Sequence, residues 1–296
     1  TFFEQHMANQ KHYICLIPGA GLGNQLYFLA YTDYLKSLGA DASLFLMGNG
    51  QVGDTKDKAK RNLVLEIPQR LGMAVADKKQ ISRSFRYIFC KAFYGKEKLN
   101  WREPKDQWAV FFEGVHGKYP VNFYYGYFQS HHYIAEPFKQ RLKTVLRALK
   151  PVDVAVGEND VALHIRRGDF LNPENAGLIR TVGLDYYLNG LDYIRQRQTI
   201  GTVYIFSDDF AAIEKEIGAI SAEYSVRLMQ GQSVLEDMNW LTYFKHYVVG
   251  NSTFAWWGCL LSDHQDGLVV VPQRPWVQEQ PAASQYLPHW VQLPND

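Results

Sequence analysis

The sequence predicts an α/β protein whose parallel sheets are covered by helices. Its second half alternates short apolar runs with amphipathic segments, a pattern typical of parallel strands joined by helices. Near the start, an apolar run enters the glycine-rich turn Gly19–Gln25 and then a helical pattern. Polar clusters also follow three apolar runs of the second half, at the strand ends where such sheets bind ligands.

Chain length and composition suggest two globular domains. At 296 residues, the chain is long enough for two domains of roughly 150 residues each. Pro, Gly and Asn interrupt a basic helical stretch around residues 151–160. We therefore expect an N-terminal domain over residues 7–155 and a C-terminal domain over residues 156–296. Thr1–His6 precede Met7 and resemble a vector remnant, so they are excluded from the fold prediction.

Charge and cysteine content exclude several classes of protein. A net charge of +1 without a Lys/Arg stripe argues against a nucleic-acid partner. No apolar run approaches the roughly 20 residues that span a bilayer, and no signal-peptide pattern is visible. The three cysteines lack paired spacing, which favours a reducing compartment over a disulfide framework. These features predict a cytoplasmic protein without a transmembrane segment.

The first half predicts one strand–helix–strand unit followed by an irregular region. Tyr13–Pro18 is the first predicted strand, and Ala42–Met47 is the second. The helix between them ends at Gly39. One face of this helix is predicted to carry Phe28, Tyr31, Leu35 and Leu38. Residues 60–120 lack clear periodicity and are expected to form an irregular, helix-rich excursion.

The second half predicts five strands. They are Val161–His164, Val203–Phe206, Tyr224–Met229, Tyr247–Val249 and Leu268–Val271. One helix is expected around Asp185–Gln198, and a short second helix is expected to end at Ile217. A third should run from a capping box at Ser233 and Glu236 to about Lys245.

The glycine-rich turn does not match the dinucleotide-binding fingerprint. Its spacing is G-x-G-x-G, and Asn24 stands where the third glycine belongs. No acidic residue closes the next strand, and no G-K-[ST] follows, which excludes a phosphate-binding P-loop. The glycines therefore indicate a close approach of backbone to a ligand or to the other domain, and NAD binding is disfavoured.

The most informative segment is His164–Phe170, with the sequence HIRRGDF, at the end of a predicted buried strand. Two guanidiniums, an imidazole and a carboxylate are costly to bury without partners. Arginine's planar fork suits the oxygens of phosphate groups. The segment therefore predicts a polyphosphate site, and an ordinary surface Arg–Asp pair is the alternative.

Two more polar clusters, Ser207–Asp209 and Asn251–Thr253, follow neighbouring predicted strands. Asn251 or Ser252 can cap the helix that follows, and the helix start would offer N–H groups and hydroxyls to a phosphate. Simple N-capping is the alternative interpretation. Ser207–Asp209 is not a D-x-D pair, and no His/Cys/Asp cluster has metal-ligand spacing, so no metal site is expected.

Five sequence blocks resemble the α-1,2-fucosyltransferases of glycosyltransferase family 11. They are Gly21–Gln25, Gly126–Ser130 with Tyr133, His164–Phe170, Phe206–Asp209 and Asn251–Trp257. The chain departs from the family where Gly19–Gly21 replaces a paired glycine and where Ala255 replaces a serine. Residues 48–120 match no part of the pattern and are expected to help select the acceptor.

The resemblance implies a GT-B-type architecture, in which two Rossmann-like domains face a cleft. It implies GDP-β-L-fucose as the donor substrate, no separate cofactor, no metal, and inversion at the anomeric carbon of fucose. The acceptor would be O2 of a terminal galactose on an oligosaccharide such as an O-antigen of a bacterium. Peripheral membrane association is expected where that acceptor is lipid-linked. A transferase for another GDP-sugar and a non-catalytic sugar-binding protein are the alternatives.

The resemblance also implies roles for individual residues. The nucleotide-binding residues would be Asn24, His164, Arg166, Ser207, Asp208, Asn251, Ser252, Thr253 and Phe254. Arg166 would clamp the β-phosphate, and Asp208 would accept hydrogen bonds from guanine. Asp169 and Glu174 are candidates for the base that activates the acceptor, although a reaction with a weak base or none is also open. Independently of the resemblance, adjacent side chains at a strand end diverge, so Arg167 is expected to form a structural ion pair.

Overall fold

The structure is a computed structural model that describes residues 10–47, 51–56, 61–84, 87–88, 100–102, 113–115, 117, 119–153, 155–168, 182–275 and 285–295. The chain forms two units. The first comprises Thr1–Gly53, Arg61–Val145 and Pro281–Tyr286, and the second comprises Asp54–Lys60, Leu146–Gln280 and Leu287–Asp296. Each unit contains one parallel sheet. The predicted α/β class with two Rossmann-like units is confirmed.

The division between the units differs from the boundary expected near residue 155. It lies after Val145, inside the helix Glu136–Leu149. Two short segments cross the division. Asp54–Lys60 belongs to the second unit although the residues around it belong to the first, and Pro281–Tyr286 belongs to the first unit although the residues around it belong to the second. Proline and glycine mark where regular structure is interrupted, but they carry no information about the core against which a segment packs.

The first unit is built on a five-stranded sheet with the order β3-β2-β1-β5-β4. Its strands are β1 (Lys11–Leu16), β2 (Asp41–Leu46), β3 (Val75–Ala76), β4 (Asn100–Arg102) and β5 (Val121–Tyr124). Its helices are α1 (Leu22–Ser37), α2 (Glu66–Arg70), α3 (Lys78–Arg83) and α4 (Glu136–Leu149), of which α4 continues into the second unit.

The helix predicted after the glycine-rich turn is α1, and Gly39 ends it as expected. Gly39 adopts a left-handed conformation with φ of +82° and donates its N–H to the carbonyl of Lys36. Of the four residues predicted to share one face of this helix, Phe28, Tyr31 and Leu35 are buried, and Leu38 is not. Almost every side chain from Leu22 to Thr32 is buried, whereas Leu38 lies just beyond the helix and is 47 % exposed.

The expectation for residues 60–120 was incomplete. The described parts contain α2 and α3, but they also contain β3 and β4, which form the two edges of the first sheet. A strand of two or three residues is too short to show an alternating apolar pattern, so pairing with β2 and β5 decides its conformation. The four-residue strand β5 was also not predicted, because the polar Asn122 interrupts its apolar run.

The second unit is built on a six-stranded sheet with the order β11-β10-β9-β6-β7-β8. Its strands are β6 (Val161–Ile165), β7 (Thr202–Ser207), β8 (Ser225–Leu228), β9 (His246–Val249), β10 (Val269–Pro272) and β11 (Val291–Leu293). Its helices are α5 (Leu184–Arg195), α6 (Glu214–Ser221), α7 (Val234–Leu241) and α8 (Thr253–Leu260). This is the strand order of dinucleotide-binding folds, and its direction reverses between β6 and β9.

The predicted elements of this unit are confirmed with small shifts, and β11 is an additional edge strand. The capping box is present, because the Ser233 hydroxyl accepts from the Glu236 N–H and the Glu236 carboxylate accepts from the Ser233 N–H. Helix α7 ends at Leu241 rather than near Lys245. There the buried Tyr247 hydroxyl bonds to the Leu241 carbonyl, satisfying a helix-end acceptor. No helix in the described ranges is long and apolar enough to cross a membrane.

Helix α5 packs closely on the sheet at Gly190. A Cβ at Gly190 would lie 2.5 Å from Cγ1 of Val248, whereas a Cβ at Gly218 on α6 would meet nothing within 4 Å. We expect Gly190→Ala to lower the free energy of unfolding by about 1–3 kcal/mol through overpacking. The matched control Gly218→Ala should raise it by about 0.5–1 kcal/mol. Urea unfolding of both variants checks this, and equal effects would contradict the close packing.

Two buried histidines predict a loss of stability in mild acid. Burial lowers the pKa of His12 and of His246 from 6.5 to about 4, and the Nδ1 atom of His246 accepts the Leu268 N–H. Between these pKa values the unfolded chain takes up protons that the folded chain does not. The free energy of unfolding should therefore be highest above pH 6.5 and fall as the pH approaches 4.

The variant His246→Asn keeps an acceptor near the position of Nδ1 but cannot titrate. Urea unfolding between pH 7 and 5 should show a weaker pH dependence for this variant than for the wild type. The exposed His289 provides the control, since His289→Asn should keep the wild-type slope. An unchanged slope in His246→Asn would contradict the assignment.

Candidate functional site

The predicted polar clusters meet at the point where the strand order of the second sheet reverses. Strands β6 and β9 are neighbours there, with Leu163 opposite Val248 and His164 opposite Val249. The Gly250 N–H donates to the His164 carbonyl at 3.3 Å and extends this pairing into the following loop. The loops after β6 and β9 therefore leave the sheet side by side, in the position where parallel sheets bind ligands.

Arg166 follows β6 directly and is held by Asp208, which follows β7. The Nε atom of Arg166 lies 3.2 Å from Oδ2 of Asp208. The Arg166 side chain is 19 % exposed and that of Asp208 is 5 % exposed. A partly buried guanidinium held through Nε is suited to anion binding, because its side-chain motion is restricted and its surroundings screen charge less than water does.

Asp208 also fixes the backbone of the loop after β6. Its Oδ1 atom accepts the Arg167 N–H at 3.0 Å. A Cβ at Gly168 would lie 2.1 Å from Oδ2 of Asp208, so only glycine fits at this position without a shift. Both carboxylate oxygens thus contact the loop. The guanine contact expected of Asp208 stays a prediction, and the structure gives this residue a role in placing Arg166.

Arg167 forms a buried ion pair rather than a second exposed cation. Its Nη2 atom lies 2.5 Å from Oε1 of Glu216, and the two side chains are 7 % and 12 % exposed. Its Nη1 atom donates to the Arg166 carbonyl at 3.1 Å. Burial raises the pKa of the neighbouring Tyr187, an effect that the Arg167 guanidinium opposes. Arg167 therefore forms a structural ion pair within the fold, as expected from its sequence position.

The start of α8 is the second half of the site. Ser252 is the N-cap residue, yet its side chain makes no capping hydrogen bond, so simple capping by Ser252 does not describe this turn. The Asn251 side chain donates to the Pro275 carbonyl at 2.9 Å, which holds the turn against the loop after β10. The ring of Phe254 lies 5.9 Å from that of His164 and connects α8 to β6.

Electrostatics make this junction favourable for an anion. Helix α8 begins at Thr253, and the first N–H groups of a helix carry a partial positive charge. The guanidinium of Arg166 belongs to the adjacent loop. A cation and a helix start on neighbouring strand ends form an arrangement that can bind a phosphate group without a lysine.

Ser207 and Asp209 shape the turn after β7. The Ser207 hydroxyl donates to the Asp209 carbonyl and accepts the Asp209 N–H at 3.1 Å. The Asp209 carboxylate accepts the Ala212 N–H and begins the short 3₁₀ turn Ala211–Ile213. These bonds hold Asp208 between the other two residues. The nucleotide contact expected of Ser207 stays a prediction.

Asn24 lies in the first unit, where two of the motif blocks meet. Its Oδ1 atom accepts from Nε2 of Gln129 at 3.0 Å. The next residue, Gln25, is buried and binds the carbonyls of Ala20 and Asn62 and the N–H of Val64. Blocks that are distant in sequence therefore form one hydrogen-bonded cluster. Nucleotide binding by Asn24 stays a prediction.

Two expected catalytic residues, Asp169 and Glu174, lie outside the described residues. Within the described part of the chain, no group of three or more His, Cys, Asp or Glu side chains could hold a metal ion. Sequence reasoning missed Glu216. A glutamate in the first turn of a helix is typical of a solvent-exposed helix start, so no local signal points to its buried partner.

Comparisons with known proteins identify the family of this chain. The family model of glycosyl transferase family 11 matches residues 63–294. An alpha-1,2-colitosyltransferase of Escherichia coli is 28% identical over 88% of this chain and 91% of its own length. The O-antigen biosynthesis glycosyltransferase WbnK of Escherichia coli is 30% identical over 46% of this chain and 45% of its own length.

Among solved structures, POFUT1 in complex with GDP-fucose matches 87% of this chain and 95% of its own, with 13% sequence identity and a TM-score of 0.44. The family match includes the loops after β6, β7 and β9, and it extends over most of the chain. The chain therefore belongs to glycosyl transferase family 11.

Proposed function

We propose that this glycosyltransferase moves L-fucose from GDP-β-L-fucose to O2 of a terminal galactose, with inversion at the anomeric carbon. The observation that carries the proposal is the placement of Arg166 beside the start of α8, at the C-terminal ends of the paired strands β6 and β9. A pyrophosphate at this junction would meet a guanidinium from one side and helix N–H groups from the other. The sequence blocks shared with α-1,2-fucosyltransferases add support for this donor and linkage.

The reaction breaks the bond between the fucose C1 atom and the β-phosphate oxygen of GDP. The bonding electrons leave with that oxygen, and the acceptor O2 forms a bond to C1 from the opposite face. Arg166 and the N–H groups of Thr253 and Phe254 would stabilise the negative charge that develops on the phosphate. Such donors act on the leaving group in the transition state more than in the ground state, so they accelerate the reaction.

The proton of the acceptor hydroxyl also has to leave. We assign its removal to Asp169 or Glu174, which follow Arg166 in the chain. The bond between C1 and the phosphate oxygen breaks before the new bond to the acceptor is complete, which leaves C1 strongly electrophilic. The acceptor hydroxyl then needs little activation, so a weak carboxylate base is sufficient for this step.

A donor related to fucose is the second candidate. The E. coli relative that matches 88% of this chain is named as an alpha-1,2-colitosyltransferase. Colitose is L-fucose without its 3-hydroxyl group, so a site for one sugar needs little change to accept the other. The name of WbnK favours an O-antigen acceptor. Action in the cytoplasm, and contact with a membrane when the acceptor is lipid-linked, stay predictions.

The replacement Arg166→Ala tests the phosphate contact. We expect kcat to fall by about 10²–10³, the loss typical of removing one donor that stabilises transition-state charge. The matched control is Arg197→Ala, because Arg197 is exposed and stacks on Tyr193 instead. Initial rates with GDP-fucose, together with circular dichroism spectra, check the prediction. Near wild-type turnover in folded Arg166→Ala would overturn the assignment.

Product analysis tests the reaction itself. The protein is incubated with EDTA, a type 1 or type 2 galactoside, and either GDP-fucose or GDP-colitose. Mass spectrometry and linkage NMR should show one added fucose, α-linked to O2 of galactose, with EDTA having no effect. Loss of activity in EDTA that Mn²⁺ restores would contradict metal independence. Faster transfer of colitose would replace the proposed donor with the second candidate.

A further inference from the structure

We propose that Glu216 is a positioning residue for nucleotide binding, which acts on Arg166 through Arg167. The inference rests on the proposed function, because it assigns Arg166 to the β-phosphate. It goes beyond that assignment by naming a residue on α6 that sets the affinity for this phosphate without contacting the substrate.

The contacts form a continuous series from α6 to Arg166. Glu216 binds the Arg167 guanidinium at 2.5 Å, and the same guanidinium donates to the Arg166 carbonyl at 3.1 Å. The Arg167 N–H donates to Asp208 at 3.0 Å, and Asp208 lies 3.2 Å from Nε of Arg166. The backbone and the side chain of Arg166 are thus held by two routes, and Arg167 takes part in both.

The surroundings leave this loop little freedom. Asp208 fills the space that a side chain at Gly168 would need. On the other side, the Tyr187 hydroxyl would lie 2.8 Å from a Cβ at Gly250, so it sits directly against the loop after β9. Tyr187 also adjoins Arg167, whose positive charge acts on its hydroxyl. The buried cluster of Glu216, Arg167 and Tyr187 therefore supports both loops of the phosphate site.

Charge explains why Glu216 should affect binding as well as stability. Asp208 and Glu216 provide one negative charge for each of the two arginines. Without the Glu216 charge, the Arg167 guanidinium would be drawn toward the Asp208 carboxylate, which already accepts the Arg167 N–H. The two arginines would then compete for the Asp208 carboxylate. Its contact with Nε of Arg166 would weaken, and the Arg166 guanidinium would lose its fixed orientation.

The test measures how strongly the protein prefers GDP to GMP, which lacks the β-phosphate. Calorimetry of the wild type should show tighter binding of GDP. In Glu216→Gln, the GDP affinity should fall about tenfold, the effect expected for a charged hydrogen bond, while the GMP affinity stays nearly constant. Tyr187→Phe should shift the same preference in the same direction. This second variant keeps the proposal testable if Glu216→Gln does not fold.

Glu158→Gln is the matched control, because Glu158 is exposed and pairs with Lys245 away from this cluster. It should keep the wild-type preference for GDP. A double-mutant cycle with Arg166→Lys adds a second readout. If Glu216 acts through Arg166, the double variant should be no worse in GDP affinity than Arg166→Lys alone.

The outcomes separate the two proposals. A wild type that binds neither GDP nor GDP-fucose overturns the proposed function. A wild type that prefers GDP, with the same preference in folded Glu216→Gln and in Tyr187→Phe, overturns the positioning role. Equal losses of GDP and GMP affinity would also overturn it, since a general structural defect does not discriminate between the two nucleotides.

Discussion

The site depends on the parallel pairing of β6 with β9. These strands are far apart in the chain, and their four paired positions bring the loop that carries Arg166 beside the loop that starts α8. A shift of this pairing by one residue would turn buried side chains such as Leu163 toward the opposite face of the sheet. The apolar cores on both faces thus fix the register, and the register fixes the distance between a cation and a helix start.

The strand ends of this site were predictable because the local pattern already contains the information. An apolar run followed at once by charged residues, as in Val161–Gly168, marks both a buried strand and its carboxyl end. The order of the strands in the sheet then follows general rules of chain connection. For the same reasons, the capping box of α7 and the end of α1 at Gly39 could be predicted within a few residues.

The features that could not be predicted from the sequence depend on contacts between residues that are distant in the chain. The role of Glu216 comes from its pairing with Arg167, and nothing in the sequence around either residue specifies the other. The inward orientation of the Asp208 carboxylate depends on the N–H of Arg167 and on the missing side chain of Gly168. Strands β3, β4 and β11 are too short to carry a pattern, and they form because a neighbouring strand offers unpaired backbone groups.

The interleaved composition of the two units has a consequence for folding during synthesis. Tyr286 belongs to the first unit and is buried, and it adds to the effect of burial, which raises the pKa of the Tyr27 hydroxyl. A ribosome that has finished the five-stranded sheet still has to make almost the entire second unit before Tyr286 emerges. The first core therefore lacks one of its segments during most of synthesis, and part of its apolar surface stays exposed until that late segment has been made.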